Sequence, residues 1–320
     1  MTSPKVLITG ASGFVGEALV FRLLLDKKFS PVAAARSSTR LQGLCPVVTF
    51  DLASLKSLPI LTDVQVIVHA AARVHVMNET AKDALADFRK VNLEGTLRLA
   101  QHAASSGVKR FIFISSIKVN GERTAPGAPF KADDAPAPLD PYAVSKYEAE
   151  EALKQLGVST GMEIVIIRPP LVYGPGVKAN FLSLLRWLDK GIPLPLGSID
   201  NRRSLVAIGN LVDLIEVCIN HPAASGNVFL VSDGDDLSTT QLLRRLAKAL
   251  GKQARLLPVP AWLLNFVAAS VGKQTIAHRL CESLQVDISK NFELLGWTPP
   301  VNVDKAMRQT AGHYLEKQTK

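Results

Sequence analysis

The chain reads as an α/β protein: a Rossmann-type doubly wound parallel sheet with a smaller mixed C-terminal substrate-binding region. Three observations predict this. Short apolar runs rich in Val and Ile alternate with longer helix-forming stretches through the first half of the chain. Each run is continuously apolar rather than alternating, the pattern of strands covered on both faces. The first run ends in a glycine-rich turn that opens a helix, as in dinucleotide-binding folds.

Composition bounds the rest. At 320 residues the chain can bury a large core in one big or two modest domains. Hydrophobic residues at 47% and charged residues at 20% exclude a disordered chain. The net charge of +9 suits an anionic ligand, but the basic residues do not run together and no nucleic-acid signature is present. Three separated cysteines, Cys45, Cys218 and Cys281, form no disulfide framework or zinc spacing, and the six histidines are scattered. A reducing, cytoplasmic setting without a metal is expected, and no signal peptide is read at the N-terminus. The longest apolar run, residues 262–271 (WLLNFVAASV), is too short to span a bilayer. It is expected to be a buried or interface helix rather than a membrane-surface anchor, with no stable membrane insertion.

Residues 5–9 form the first strand, and the turn GASGFVG follows it. Gly10, Gly13 and Gly16 allow a tight turn and close approach of a pyrophosphate. Phe14 and Val15 open a helix whose free N–H groups and dipole favour that anion. A second strand, residues 31–35, ends at Arg36. An acidic residue there would hold the ribose hydroxyls of NAD. The chain instead has Arg36 with Arg40 nearby, which leans towards the 2′-phosphate of NADP; the competing reading is that Arg36 stacks on adenine or lies in solvent. A third strand, residues 47–50, ends at Asp51 and Leu52, where an adenine edge would lie. The fourth, residues 64–68, leads to His69 and then Ala70, Ala71 and Ala72, small enough to pass beneath a cofactor. A long helix is expected from Val91, then strands at 110–114 and 163–167.

Two stretches carry acid–base chemistry. Tyr142 and Lys146 lie four apart on an expected helix that Pro141 would open, so both project from one face. A free tyrosine is only about 0.1% phenolate at neutral pH, and a nearby cation favours the anion. Taken alone, the pair could be incidental on a solvated face. Ser115 and Ser116 directly follow the fifth strand, at the end of the sheet where ligands bind, and a hydroxyl there could bond the oxygen that Tyr142 serves. A serine satisfying a turn is the competing reading.

The strings ITGASGFVG, Asp51-Leu52, HAAA, Asn92, SSIKVNGE, YAVSK, RPPLVYGPG and the late Asp287-Ile288-Ser289-Lys290 together resemble the extended short-chain dehydrogenases/reductases, in the nucleotide-sugar epimerase/dehydratase branch. They run over almost the whole chain in the family's order. The resemblance implies an NAD(P) cofactor with Tyr142 as general acid/base. It also implies Lys146 on the nicotinamide ribose, lowering the Tyr142 pKa, and Ser116 aligning the reacting oxygen, with Pro169 also beside the cofactor. Aligning Val119-Asn120-Gly121 with the family's Val-Tyr-Gly selects Ser116 over Ser115. The Asp-Glu pair that follows the serine in 4,6-dehydratases is replaced by Ile117-Lys118, so dehydration is not expected.

The resemblance divides the chain into a dinucleotide-binding domain at 1–168 and a substrate-binding region at 169–320, with a strand near 227–232 returning to the main sheet. It places Asn180 and Arg203 toward a UDP-sugar diphosphate, with Arg279 as a second candidate. The family's Ile-His-Val and its following Asp are Val206-Ala207-Ile208 and Asn210 here. A homodimer through the helices near Asn92 and Tyr142 is implied. The strings HAAARVHVMNE, SSIKVNGE, WLLNFVAASVGK and SLQVDISKNFELLGWTP look most like the reductases of bacterial surface-polysaccharide pathways, which include lipopolysaccharide O-antigen synthesis. Those enzymes convert UDP-4-keto-6-deoxy-N-acetylglucosamine to UDP-N-acetylquinovosamine, and the lean to NADP agrees. The alternatives are a UDP-hexose 4-epimerase with retained NAD and, remotely, a non-catalytic NAD(P)-binding redox sensor.

Overall fold

The strands form where the apolar runs are uninterrupted: β1 (Lys5–Thr9), β2 (Ser30–Ala35), β3 (Val47–Thr49), β4 (Val64–His69), β5 (Arg110–Ile114) and β6 (Glu163–Arg168). The computed structural model describes residues 3–54, 58–74, 83–125, 127–270, 272, 278 and 280–318. Two short strands, β7 (Leu171–Tyr173) and β8 (Leu205–Ala207), pair with each other, and β9 (Val228–Leu230) joins β6. The main sheet is parallel throughout, in the order β3-β2-β1-β4-β5-β6-β9. The strand order reverses between β1 and β4, which opens a crevice at their carboxyl ends, the position at which such sheets bind ligands.

Side chains alternate between the two faces of the sheet, as the pleat requires. Val6, Ile8, Val68, Ile112 and Ile167 share a core with α1 (Phe14–Asp26) and α6 (Ile208–Asn220). Leu7, Ile67, Phe111, Phe113 and Ile166 share another with α3 (Thr96–Ser105) and α4 (Pro141–Thr160). Both faces are therefore covered, and the strands have no polar side to show.

The helix expected from Val91 has a different start. A short α2 (Ala84–Phe88) runs into a π-helical turn, Arg89–Gly95, before α3. A Cβ on Gly95 would sit 2.5 Å from the Leu52 carbonyl, so the wide turn sits directly against the loop after β3. α4 begins as Pro141 suggests, with Asp140 as N-cap accepting from Ala143 N at 2.6 Å.

The rest of the chain builds a second core from α5 (Ala179–Asp189), α7 (Thr239–Ala249) and α10 (Val303–Glu316), centred on Tyr173, Phe181, Leu243 and Met307. Ser238 caps α7 through a capping box with Gln241. Between this core and the surface lies α8 (Ala261–Ser270), and α9 (Ser289–Leu295) follows the last loop. Of the buried-or-interface expectation for α8, the buried half fails: no residue in it is buried. Ala261 and Leu264 rest on the second core, while Trp262, Leu263, Phe266 and Val267 are exposed. No helix among the described residues is long and apolar enough to cross a membrane.

Candidate active site

The glycine turn lies at the crevice. Gly10 has φ +67°, and a Cβ there would meet Ala71 N at 2.8 Å, so only glycine lets the turn press against the start of the loop after β4. At Gly16 a Cβ would lie 2.3 Å from the Gly10 carbonyl, which locks helix α1 onto the turn. Gly13 caps α1 with no side-chain acceptor for the first N–H groups of the helix. Those donors, with Phe14 and Val15 opening the helix, fit the diphosphate of a dinucleotide.

Thr9 and His69 hold the two sides of the crevice together. The Thr9 hydroxyl lies 2.7 Å from His69 Nδ1 and accepts from Ala71 N at 3.3 Å, and His69 Nε2 lies 3.0 Å from the Thr96 hydroxyl. Burial, then the nearby Lys146 charge, pushes the imidazole pKa down to about 3, so it is neutral at any working pH. Ala70, Ala71 and Ala72 follow as a partly exposed strip. Beyond them, the Asn92 side chain bonds both backbone groups of Arg73, at 2.8 and 3.0 Å, and reaches Ser145 Oγ at 3.0 Å.

Ser116, Tyr142 and Lys146 converge beside this strip. Ser116 caps the 3₁₀ turn Ile117–Val119 at the end of β5 and hydrogen-bonds Tyr142. Ser115 differs: it is buried and its hydroxyl donates to Glu150. Lys146 is fully enclosed, donating to the Ile114 carbonyl at 2.7 Å with its Nζ 3.9 Å from the Phe113 ring centre. Burial lowers its pKa to about 7 against the opposing pull of Glu150.

Tyr142 corrects a second expectation. Its pKa is not lowered but pushed up to about 12, first by burial and then by the Asp140 charge, with the Ser116 bond opposing. Asp140 is there because it caps α4, so the helix cap and the phenol compete electrostatically. Lys118 partly offsets this by pairing with Asp140.

Beneath the three residues lies a buried network. Glu150 continues the Tyr142–Lys146 face by one more turn and pairs with Arg168, whose Nε lies 3.0 Å from Oε1. Arg168 Nη1 also donates to Asn120 Oδ1 at 2.9 Å. Glu150 was legible at i+8 from Tyr142, but its partner, 18 residues on, was not.

The remaining candidates are spread out. Arg36 is exposed just beyond β2, and Arg40 is ion-paired with Glu17. Asp51 accepts from its own loop, Ala53 N, at 3.1 Å; Leu52 is buried; the Pro169 carbonyl accepts from Ile117 N at 3.0 Å. Asn180 is exposed on the first turn of α5, and Arg203 Nη1 donates to the Glu282 carbonyl at 3.0 Å. Arg279 lies outside the described residues.

The doubly wound parallel sheet with its crevice gives the fold, and the family match over residues 6–232 makes the chain an enzyme of the extended short-chain dehydrogenase/reductase class. More particularly, the chain belongs to the NAD dependent epimerase/dehydratase family, whose model matches residues 6–232. It is 50% identical over 317 residues to the UDP-glucose 4-epimerase of Vibrio cholerae, covering 98% of this chain and 96% of that one. The fold matches the crystal structure of the Thermotoga maritima UDP-glucose 4-epimerase with UDP-glucose at TM-score 0.79 and 21% identity, over 99% and 100% of the chains. It also matches the Bacillus cereus UDP-glucuronic acid 4-epimerase in complex with NAD at TM-score 0.77 and 21% identity, over 98% and 99%.

Proposed function

We propose that the chain is an NAD-dependent epimerase that inverts C4 of a UDP-hexose. The observation that carries the choice is the 50% identity with the Vibrio cholerae UDP-glucose 4-epimerase across nearly all of both chains. This moves the preference from the UDP-4-keto-6-deoxy-N-acetylglucosamine reductase expected from short strings to the epimerase alternative. Whole-length similarity samples the substrate loops, which those strings only touch.

The residues at the crevice support the reading. A nicotinamide held at the crevice would supply reversible hydride chemistry at C4. Tyr142 takes the proton of the C4 hydroxyl as that carbon is oxidised and gives it back to the same oxygen on reduction. Ser116, bonded to Tyr142, orients the oxygen between them. Lys146 is enclosed one turn along the same helix, in the place from which it would reach the nicotinamide ribose. Gly10, Gly13 and Gly16 hold the diphosphate, and Arg203 and Asn180 serve the UDP end. Inversion needs only that the keto sugar turn its other face to the same hydride, so no second acid–base pair is required.

NAD is the proposed cofactor over NADP. Of the two arginines offered to a 2′-phosphate, Arg40 is already paired with Glu17. The proposal carries with it a cytoplasmic homodimer.

The test is proton NMR of UDP-glucose and UDP-N-acetylglucosamine incubated with purified protein and no added cofactor. Equilibration at C4 is expected. No interconversion, together with stoichiometric NADPH oxidation on the 4-keto-6-deoxy substrate, would overturn it in favour of the reductase.

A further inference from the structure

The outward face of α8 has no role in the reading above. Trp262 and Phe266, one turn apart, are each 70% exposed, and beside them Val267 is 51% and Leu263 36% exposed. The helix contains no charged residue. A helix apolar on both faces is ordinarily enclosed, and here only the Ala261–Leu264 side is covered, by the second core. A contiguous apolar face of large side chains marks an interaction site rather than ordinary surface.

The charge of the sequence on either side of it says what fits. Between Asp236 and Glu282 the sequence has no acidic residue but carries Arg244, Arg245, Lys248, Lys252, Arg255, Lys273 and Arg279. Most of the chain's excess of +9 is concentrated in that one stretch, with α8 inside it. Arg245 and Lys252 are paired with Asp235 and Asp189, while Arg244, Lys248 and Arg255 are exposed.

We propose that α8 and its basic flanks seat the enzyme on an anionic bilayer surface, with Trp262, Leu263, Phe266 and Val267 entering the headgroup boundary. Two signals act together. The apolar side chains gain burial, and each Lys or Arg near the surface adds electrostatic attraction, so the contact is peripheral and reversible rather than spanning. A second copy fits less well. A two-fold pairing would bring α8 against α8 and set two strongly basic stretches face to face. A polyanion such as DNA would match the charge but leave the aliphatic and aromatic face uncovered.

The test is sedimentation of the full chain with vesicles of phosphatidylcholine alone or mixed with phosphatidylglycerol, at low and high salt. Wild type should pellet with the mixed vesicles at low salt, with a blue shift of tryptophan emission that is absent in Trp262→Phe. The Trp262→Glu/Phe266→Glu variant should partition at least about tenfold less, while its turnover of soluble substrate is unchanged. Replacing Arg244, Lys248 and Arg255 by Gln should remove the dependence on phosphatidylglycerol. Equal recovery of the double variant and wild type, or no pelleting of either, would overturn the proposal. So would a wild-type oligomer that dissociates in the double variant, which would identify a second copy as the occupant. Duplex DNA bound equally by both proteins, with vesicles bound by neither, would assign the basic stretch to nucleic acid instead.

Discussion

Tyr142 and Lys146 each sit away from their ordinary pKa, in ways that make opposite demands on fold and function. Tyr142→Phe should lower kcat by about 10²–10⁴-fold, with the protein's NAD content and thermal midpoint unchanged, as measured by steady-state assay and calorimetry. An intact kcat would end the acid–base assignment. Lys146 has a folded pKa near 7 against 10.5 for an ordinary lysine. Its neutral form is the one the fold favours, so its contribution is present above pH 10.5 and is lost as pH falls toward 7, where the buried amine must charge. Lys146→Met should therefore be more stable than wild type at pH 7, by on the order of 2 kcal/mol. That is under the roughly 5 kcal/mol of the whole shift, because the Ile114 bond and the place over Phe113 go with the ammonium. The gain should vanish as pH rises to 10.5 in urea titrations. An unchanged or lower stability at pH 7 would show that those two contacts outweigh the cost of charging.

At the scale of elements, the site depends on how α4, β5 and β6 are fastened together. Glu150 on α4 pairs with Arg168 at the end of β6, and both are almost wholly buried. Removing one partner leaves an uncompensated charge, so Glu150→Ala should cost about 3–5 kcal/mol in denaturant unfolding. A loss under 1 kcal/mol would mean that water reaches Arg168. The glycine turn joins β1 to α1 in the same way. Gly16→Ala places a methyl 2.3 Å from the Gly10 carbonyl, so the turn must open and displace the α1 N-terminus from the diphosphate position. NAD affinity by calorimetric titration should fall at least about tenfold, roughly 1.4 kcal/mol. Unaltered affinity would place the diphosphate elsewhere.

For the whole molecule, the ends of β1, β2 and β4 are brought side by side only by the folded sheet, so a dinucleotide laid across them would bind the folded chain alone. Unfolding stability should then rise with NAD, by about 2.7 kcal/mol at a hundredfold excess over Kd. The same excess of NADP should give a smaller shift. A larger NADP shift would return the cofactor assignment to Arg36.

Much of this organisation was legible in the sequence. Short apolar runs such as residues 110–114, bounded by turn signals, read as strands buried on both faces, and GASGFVG, SSIKVNG and YAVSK are contiguous strings that the chain states directly. Residues 18 to 79 apart were not legible as partners, because a contact such as Arg168 with Glu150 or Arg203 with the Glu282 carbonyl exists only after the sheet and loops have assembled. The sign of the Tyr142 shift belongs to the same class: the sequence shows a lysine one turn away, but burial and the capping Asp140 decide the balance. The sequence by itself determined the doubly wound sheet and the glycine turn and put Tyr142 and Lys146 on one helix face, because apolar runs and i,i+4 spacing are local properties of the chain. Only the tertiary structure decided what engages the Ser115 hydroxyl, what holds Lys146, and that α8 turns Trp262 and Phe266 outward, because burial depends on what the rest of the chain leaves uncovered.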